Sequence, residues 1–105
     1  DVEKSVMIVG LKAYNIAEKN NITLALGSYG ENLLLDFDPH EYEIGTKFKI
    51  NDVILEITQE CTICNHLAVF GKELPFLVKN HRGLYCKILK SGKIKKNDDV
   101  FLKDK

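Results

Sequence analysis

Cys61, Cys64 and His66 stand together where an apolar run ends at Gln59, and they are the residues of this chain best suited to chemistry. A thiol at a strand end can be a nucleophile, a sulfur carrier or a metal ligand, and it acts in each role as the thiolate. Cys61 and Cys64 are spaced Cys-x-x-Cys. Opening a helix, that spacing makes a dithiol redox pair. Here it follows a β hairpin, which counts against thioredoxin-like chemistry. For zinc, Cys61, Cys64 and His66 would be three ligands, with Cys86 or His81 as a distant fourth. Structural zinc sites usually show two clear pairs, and the second is missing. The plain alternative is that the cysteines are small buried hydrophobes, a better description of Cys61 than of Cys64. In an extended segment His66 shares a face with Cys64, where it would lower the thiol pKa or shuttle a proton. A surface histidine is the competing reading.

A second cluster, Lys79, His81 and Arg82, precedes Gly83. Donors beside a glycine suit an oxyanion or phosphate, because glycine admits close backbone approach. The default for such a run is a solvated loop. Cys86 alternates with Leu84 and Ile88 and reads as a core residue. His40, in Asp-Pro-His-Glu, reads as loop surface. No Ser-His-Asp set or phosphate-cradling glycine loop is evident.

Short elements must position these residues. Ser5 to Val9 is apolar and partly β-branched, a strand. Leu11 to Asn20 suits a helix with Ala13, Ile16, Ala17 and Asn20 on one face, ended by Asn20-Asn21. Ile22 to Leu26 alternates as an extended segment, and Gly27 to Gly30 turns. Leu33 to Phe37 is a strand, broken by Asp38-Pro39. Phe48 to Ile50 and Val53 to Thr58 form a hairpin about Asn51-Asp52. Leu67 to Phe70 is one helical turn or a strand, and residues 71–82 read as irregular. Gly83 to Leu89 is a strand, followed by two short ones at Lys93 to Lys96 and Val100 to Leu102. Many short strands, one clear helix and no βαβ rhythm point to a mainly β barrel or sandwich.

Of the 105 residues, 45% are hydrophobic and 29% charged, and the fifteen basic and fifteen acidic residues cancel. A single globular domain is the simplest reading. Charge balance argues against a broad nucleic-acid surface, which needs a basic excess. No apolar run approaches the ~20 residues that span a bilayer, and no secretory signal opens the chain. Three cysteines make a poor disulfide framework, so a reducing cytoplasm is expected.

Three ordered pieces resemble the MOSC domain, found at the C-terminus of molybdenum-cofactor sulfurases and as small free-standing bacterial proteins. They are Gly30-Glu31-Asn32-Leu33; then Gly45 to Ile50 with Leu55 to Gln59 and a cysteine; then Arg82-Gly83-Leu84-Tyr85 through Ile94, ending in Asn97-Asp98-Asp99-Val100. Val6-Met7-Ile8 is similar to the apolar strand before the family's helix. The resemblance implies a mainly β, pyruvate-kinase-barrel-like fold with one or two short helices, over a single domain 1–105 expected to lack the family's most N-terminal strand. It implies a pocket for molybdenum cofactor (molybdopterin) and a sulfur-carrying or sulfur-transferring cysteine. By spacing from Gln59 that cysteine is Cys64, which would carry a persulfide or meet molybdenum. His66 would favour its thiolate. Lys79, His81 and Arg82 would hold an oxyanion, Glu31 and Asn32 would hydrogen-bond the pterin, and Cys61 would stand beside it. The implied partners are a cysteine desulfurase or a molybdoenzyme, with no pyridoxal phosphate in this domain itself. Whether the chain catalyses or only carries stays open. The alternatives are a non-catalytic module docking a molybdopterin-pathway partner, and a small zinc-stabilised domain.

Overall fold

The computed structural model describes residues 2–61 and 65–103. Six strands form one sheet among these residues: β1 (Val6–Gly10), β2 (Leu33–Leu35), β3 (Lys47–Ile50), β4 (Val53–Glu60), β5 (Leu84–Lys90) and β6 (Phe101–Leu102), in the order β2-β1-β5-β4-β3-β6. The sheet curls into a half-barrel. The mainly β, barrel-like expectation holds, with two short α-helices, α1 (Leu11–Lys19) and α2 (Leu74–Leu77).

The β3–β4 hairpin forms as its alternation dictates. Phe48 faces Leu55 and Ile50 faces Val53, and all four are buried. Asn51 takes the positive φ of 54° that the tight turn needs. Helix α1 begins straight out of β1, with Gly10 as its extended N-cap. It buries Ala13, Tyr14 and Ala17, so Tyr14 takes a place on the inward face that the aliphatic pattern does not announce. The helix ends at Asn20, as its sequence suggests, and Asn21 turns left-handed at φ 61°.

Three expectations are corrected. Strands β1 and β2 pair in parallel, Ile8 beside Leu33 and Gly10 beside Leu35, with α1 in the crossover. One βαβ unit is therefore present, hidden because β2 has only three residues. Residues 93–96, expected as a strand, join no ladder. Residues 71–82 contain α2, in whose first turn Pro75 sits, where a missing N–H costs nothing.

Alternation along β1 divides the core between the two faces of the sheet. Met7 and Val9 face α1 and α2 and pack with Ala13, Tyr14, Tyr29, Cys61, Leu67, Leu74 and Val78. Ile8 points the other way, into the curl of the sheet, with Leu35, Phe48, Leu55, Ile57, Leu84 and Cys86. No helix among the described residues is long and apolar enough to cross a membrane.

Candidate functional site

The residue that ties the site together is Gly83, just before β5. Its φ is +128°, and a Cβ there would lie 2.4 Å from the Met7 Cε and 3.0 Å from the Ile8 carbonyl oxygen. Glycine is needed both for the backbone conformation and for the close approach to β1. Both backbone groups of Gly83 are engaged. Its carbonyl accepts the Cys61 N–H at 3.0 Å, and its N–H donates to Nε2 of His40 at 3.0 Å. Only a neutral imidazole with its proton on Nδ1 offers Nε2 as an acceptor.

Asp38 organises the histidines. It caps a 3-10 turn over Pro39–Glu41, where its Oδ1 accepts the His40 N–H at 3.0 Å. Its Oδ2 lies 2.8 Å from Nδ1 of His81. The two imidazole rings sit edge to face, 5.9 Å apart. Burial holds the His40 pKa below its ordinary value; Asp38 opposes this, His81 reinforces it and Glu60 opposes it.

Beside this cluster runs a second polar network. Arg82 is only 3% exposed. Its Nη1 donates to the Tyr29 carbonyl at 2.8 Å, and its guanidinium lies 5.5 Å from the Tyr29 ring centre. The Tyr29 hydroxyl donates to the Ala13 carbonyl at 2.7 Å, which ties the segment before β2 to α1. The Tyr14 hydroxyl donates to Glu31 and accepts the Gly27 N–H at 2.9 Å. Burial raises the Tyr14 pKa, and the bond to Glu31 adds to it. Burial likewise pushes Tyr29 up to about 12, against the charge of Arg82 and with that of Glu31. Glu31 Oε1 and Arg82 Nε are buried and find no hydrogen-bond partner among the described residues.

The residues singled out in the sequence are thus placed as follows. Cys64 lies outside the described residues. His66 belongs by its backbone to a 3-10 turn over Asn65–Val69. Cys61 is 9% exposed, with its Sγ 3.6 Å from the Tyr85 hydroxyl. Lys79, His81 and Arg82 do not present one shared set of donors: Lys79 is exposed, His81 pairs with Asp38, and Arg82 is buried against Tyr29. The Asn32 Oδ1 accepts the Met7 N–H and the Asn32 N–H donates to the Met7 carbonyl, both at 2.8 Å. Cys86 is fully buried, and burial pushes its pKa up to about 12. It lies on the opposite face of the sheet from Cys61, so the two cannot share a zinc ion. Among the described residues no group of three or more His, Cys, Asp or Glu side chains is arranged to hold a metal.

Sequence reasoning missed Asp38 and His40. The usable signal was Asp-Pro-His, in which Asp caps a turn that Pro starts. That turn reaches Gly83 only through tertiary packing.

The MOSC domain family model matches residues 2–101. The chain belongs to the MOSC domain family. Its fold is similar to the crystal structure of YiiM from Geobacillus stearothermophilus, with a TM-score of 0.83 at 19% identity over 98% of this chain and 56% of that one. YiiM from Escherichia coli gives a TM-score of 0.75 at 14% identity, again over 98% and 56%. The YuaD protein from Bacillus subtilis gives 0.69 at 17% identity, over 93% and 63%. The chain therefore spans about half the length of the YiiM structures it matches. No curated protein matches the sequence.

The family is related to molybdenum-cofactor biology. Asn32 lines a cavity of about 170 Å³ inside the curl, with Val6, Leu33, Leu55, Ile88 and Ile94. Ligand sites usually offer roughly 300–1,000 Å³. The orphaned atoms of Glu31 and Arg82 are sealed from solvent. A larger groove of about 480 Å³ lies along β6, lined by Lys49, Asn51 and Phe101 to Lys103, and contains none of these residues. The described residues do not enclose a pterin.

Proposed function

We propose that this chain is a sulfur-handling MOSC module in which Cys64 accepts a sulfur atom from a donor persulfide. The Cys64 thiolate attacks the outer sulfur of the donor. The donor S–S bond breaks, a new S–S bond forms on Cys64, and the donor leaves as a thiolate, so no net oxidation occurs. A reducing compartment such as the cytoplasm, and a cysteine desulfurase as donor, belong to this reading. No step is routed through molybdenum cofactor, because the described residues do not enclose it.

One observation carries the proposal. The Cys61 N–H bond to the Gly83 carbonyl roots the cysteine-bearing segment three residues before Cys64. The same glycine holds His40, and Asp38 joins His40 to His81. An imidazole near such a segment can move the proton of a thiol. Asp38 orients His81, Arg82 is tied to the Tyr29 carbonyl, and Lys79 is an exposed cation on the same turn.

The test is the mass of the intact protein after treatment with a cysteine desulfurase and cysteine. A gain of one sulfur, mapped to Cys64, kept in Cys86→Ala and lost in Cys64→Ser, is expected. No gain under conditions that load a known carrier would defeat the reading. A second reading, docking of a protein partner without sulfur chemistry, draws on Val69, Phe70 and Phe76. These are 81%, 44% and 72% exposed just after the cysteine segment. It expects partner binding to survive Cys64→Ser.

A further inference from the structure

We propose that His40 is a proton-operated latch on the root of the cysteine segment: neutral, it holds Gly83 and through it Cys61; protonated, it lets both go. The consequence for Cys64 rests on the sulfur reading above, whereas the latch itself rests on geometry alone.

The chain of contacts is continuous. His40 Nε2 accepts the Gly83 N–H, and the Gly83 carbonyl accepts the Cys61 N–H. Protonation would place an N–H on Nε2 facing the Gly83 N–H at the present 3.0 Å separation. Two donors cannot share that line, so the contact must open. The turn that carries His40 is pressed on the start of α1: a Cβ on Gly10 would lie 2.5 Å from the Phe37 carbonyl oxygen and 3.0 Å from the Pro39 Cδ. With that turn seated against the end of β1, the contact opens by movement of the ring, of the turn or of Gly83.

Among the described residues, the charged and titratable groups facing His40 are Asp38 on its own turn, His81 from the turn before β5, and Glu60 at the end of β4. Asp38 does not simply neutralise a proton on His40, because its Oδ2 is engaged by His81 and its Oδ1 by the His40 backbone. Burial, the largest influence, favours the neutral ring. The latch is therefore closed at neutral pH and opens on acidification, below the ordinary histidine range.

Backbone amide exchange, corrected for its intrinsic pH dependence, tests this without any sulfur chemistry, so it can fail independently of the sulfur proposal. Between about pH 8 and about pH 5, protection of the Gly83 and Cys61 amides should fall together by about tenfold. That of the Val9 amide, in β1, should stay level. His40→Gln retains an acceptor that does not titrate and should keep both amides protected at both pH values. His81→Asn should leave the step in place. Nitrogen NMR of the wild-type ring should show the Nδ1–H tautomer at neutral pH, a readout that needs no variant to fold. Protection that does not change with pH, a Cys61 amide that stays protected while Gly83 opens, a step that survives His40→Gln, or an Nε2–H tautomer would each overturn the latch.

Discussion

The two faces of the sheet bury a cysteine each, in opposite chemical company. On the inner face Cys86 sits among the aliphatic side chains of Ile8, Leu55, Ile57 and Leu84. On the outer face Cys61 packs with Tyr14 and Tyr29 and lies within reach of the Tyr85 hydroxyl. Close by, the turn before β5 brings in Arg82, His81, Asp38 and His40. An apolar interior gains from burial alone and excludes charge. A buried polar network gains only while each group keeps its partner, and two atoms of this one have none among the described residues. The inner face is thus the part that holds the fold, and the outer face is the part whose state can change.

That contrast can be broken at several points. Leu55→Ala, deep in the inner face, should cost about 2–5 kcal/mol, measured by urea unfolding. A loss well below this would mean the inner cluster is not the main source of stability. Gly83→Ala should cost about 2–4 kcal/mol, from its positive φ and the approach to the Ile8 carbonyl. It should also lower amide protection at Cys61, which Leu55→Ala should not do selectively. Cys86→Ser buries a hydroxyl in an apolar site and should cost about 1–3 kcal/mol. Cys61→Ser, beside the Tyr85 hydroxyl, should cost less; equal losses would erase the difference between the faces.

A smaller effect should come from pH. The folded pKa of His40 lies below its unfolded value, so its contribution is complete above the ordinary histidine value of 6.5 and is lost as pH falls through the folded value. Stability should decline with acid across that window in the wild type and more weakly in His40→Gln, followed by thermal unfolding. The smallest effect belongs to Lys79→Ala, on the exposed rim, at about 0.5 kcal/mol or less. If it nonetheless weakened sulfur loading, Lys79 would be part of the reaction surface and the division between the faces would need redrawing.

Much of the fold was legible. The β3–β4 hairpin followed from strict alternation about Asn51, and the burial of Cys86 from its neighbours in β5. The parallel pairing of β1 and β2 was not, because a three-residue strand carries no periodic signal of its own. At the site, Arg82 read as a loop cation and His40 as surface. Their types gave no warning, since arginine and histidine are usually found exposed and become buried only where a specific partner waits. Those partners, the Tyr29 carbonyl and the Gly83 N–H, lie far away in sequence.

By itself the sequence determined the hydrophobic alternation that divides the strands into two faces, the turn residues that end α1 and close the hairpin, and the cysteine spacing that draws attention to residues 61–66. These depend on contacts between near neighbours, and local spacing encodes them. Only the tertiary structure decided that Gly83 would stand between His40 and Cys61, because a backbone N–H and carbonyl are common to every residue and acquire meaning only from what folding sets opposite them.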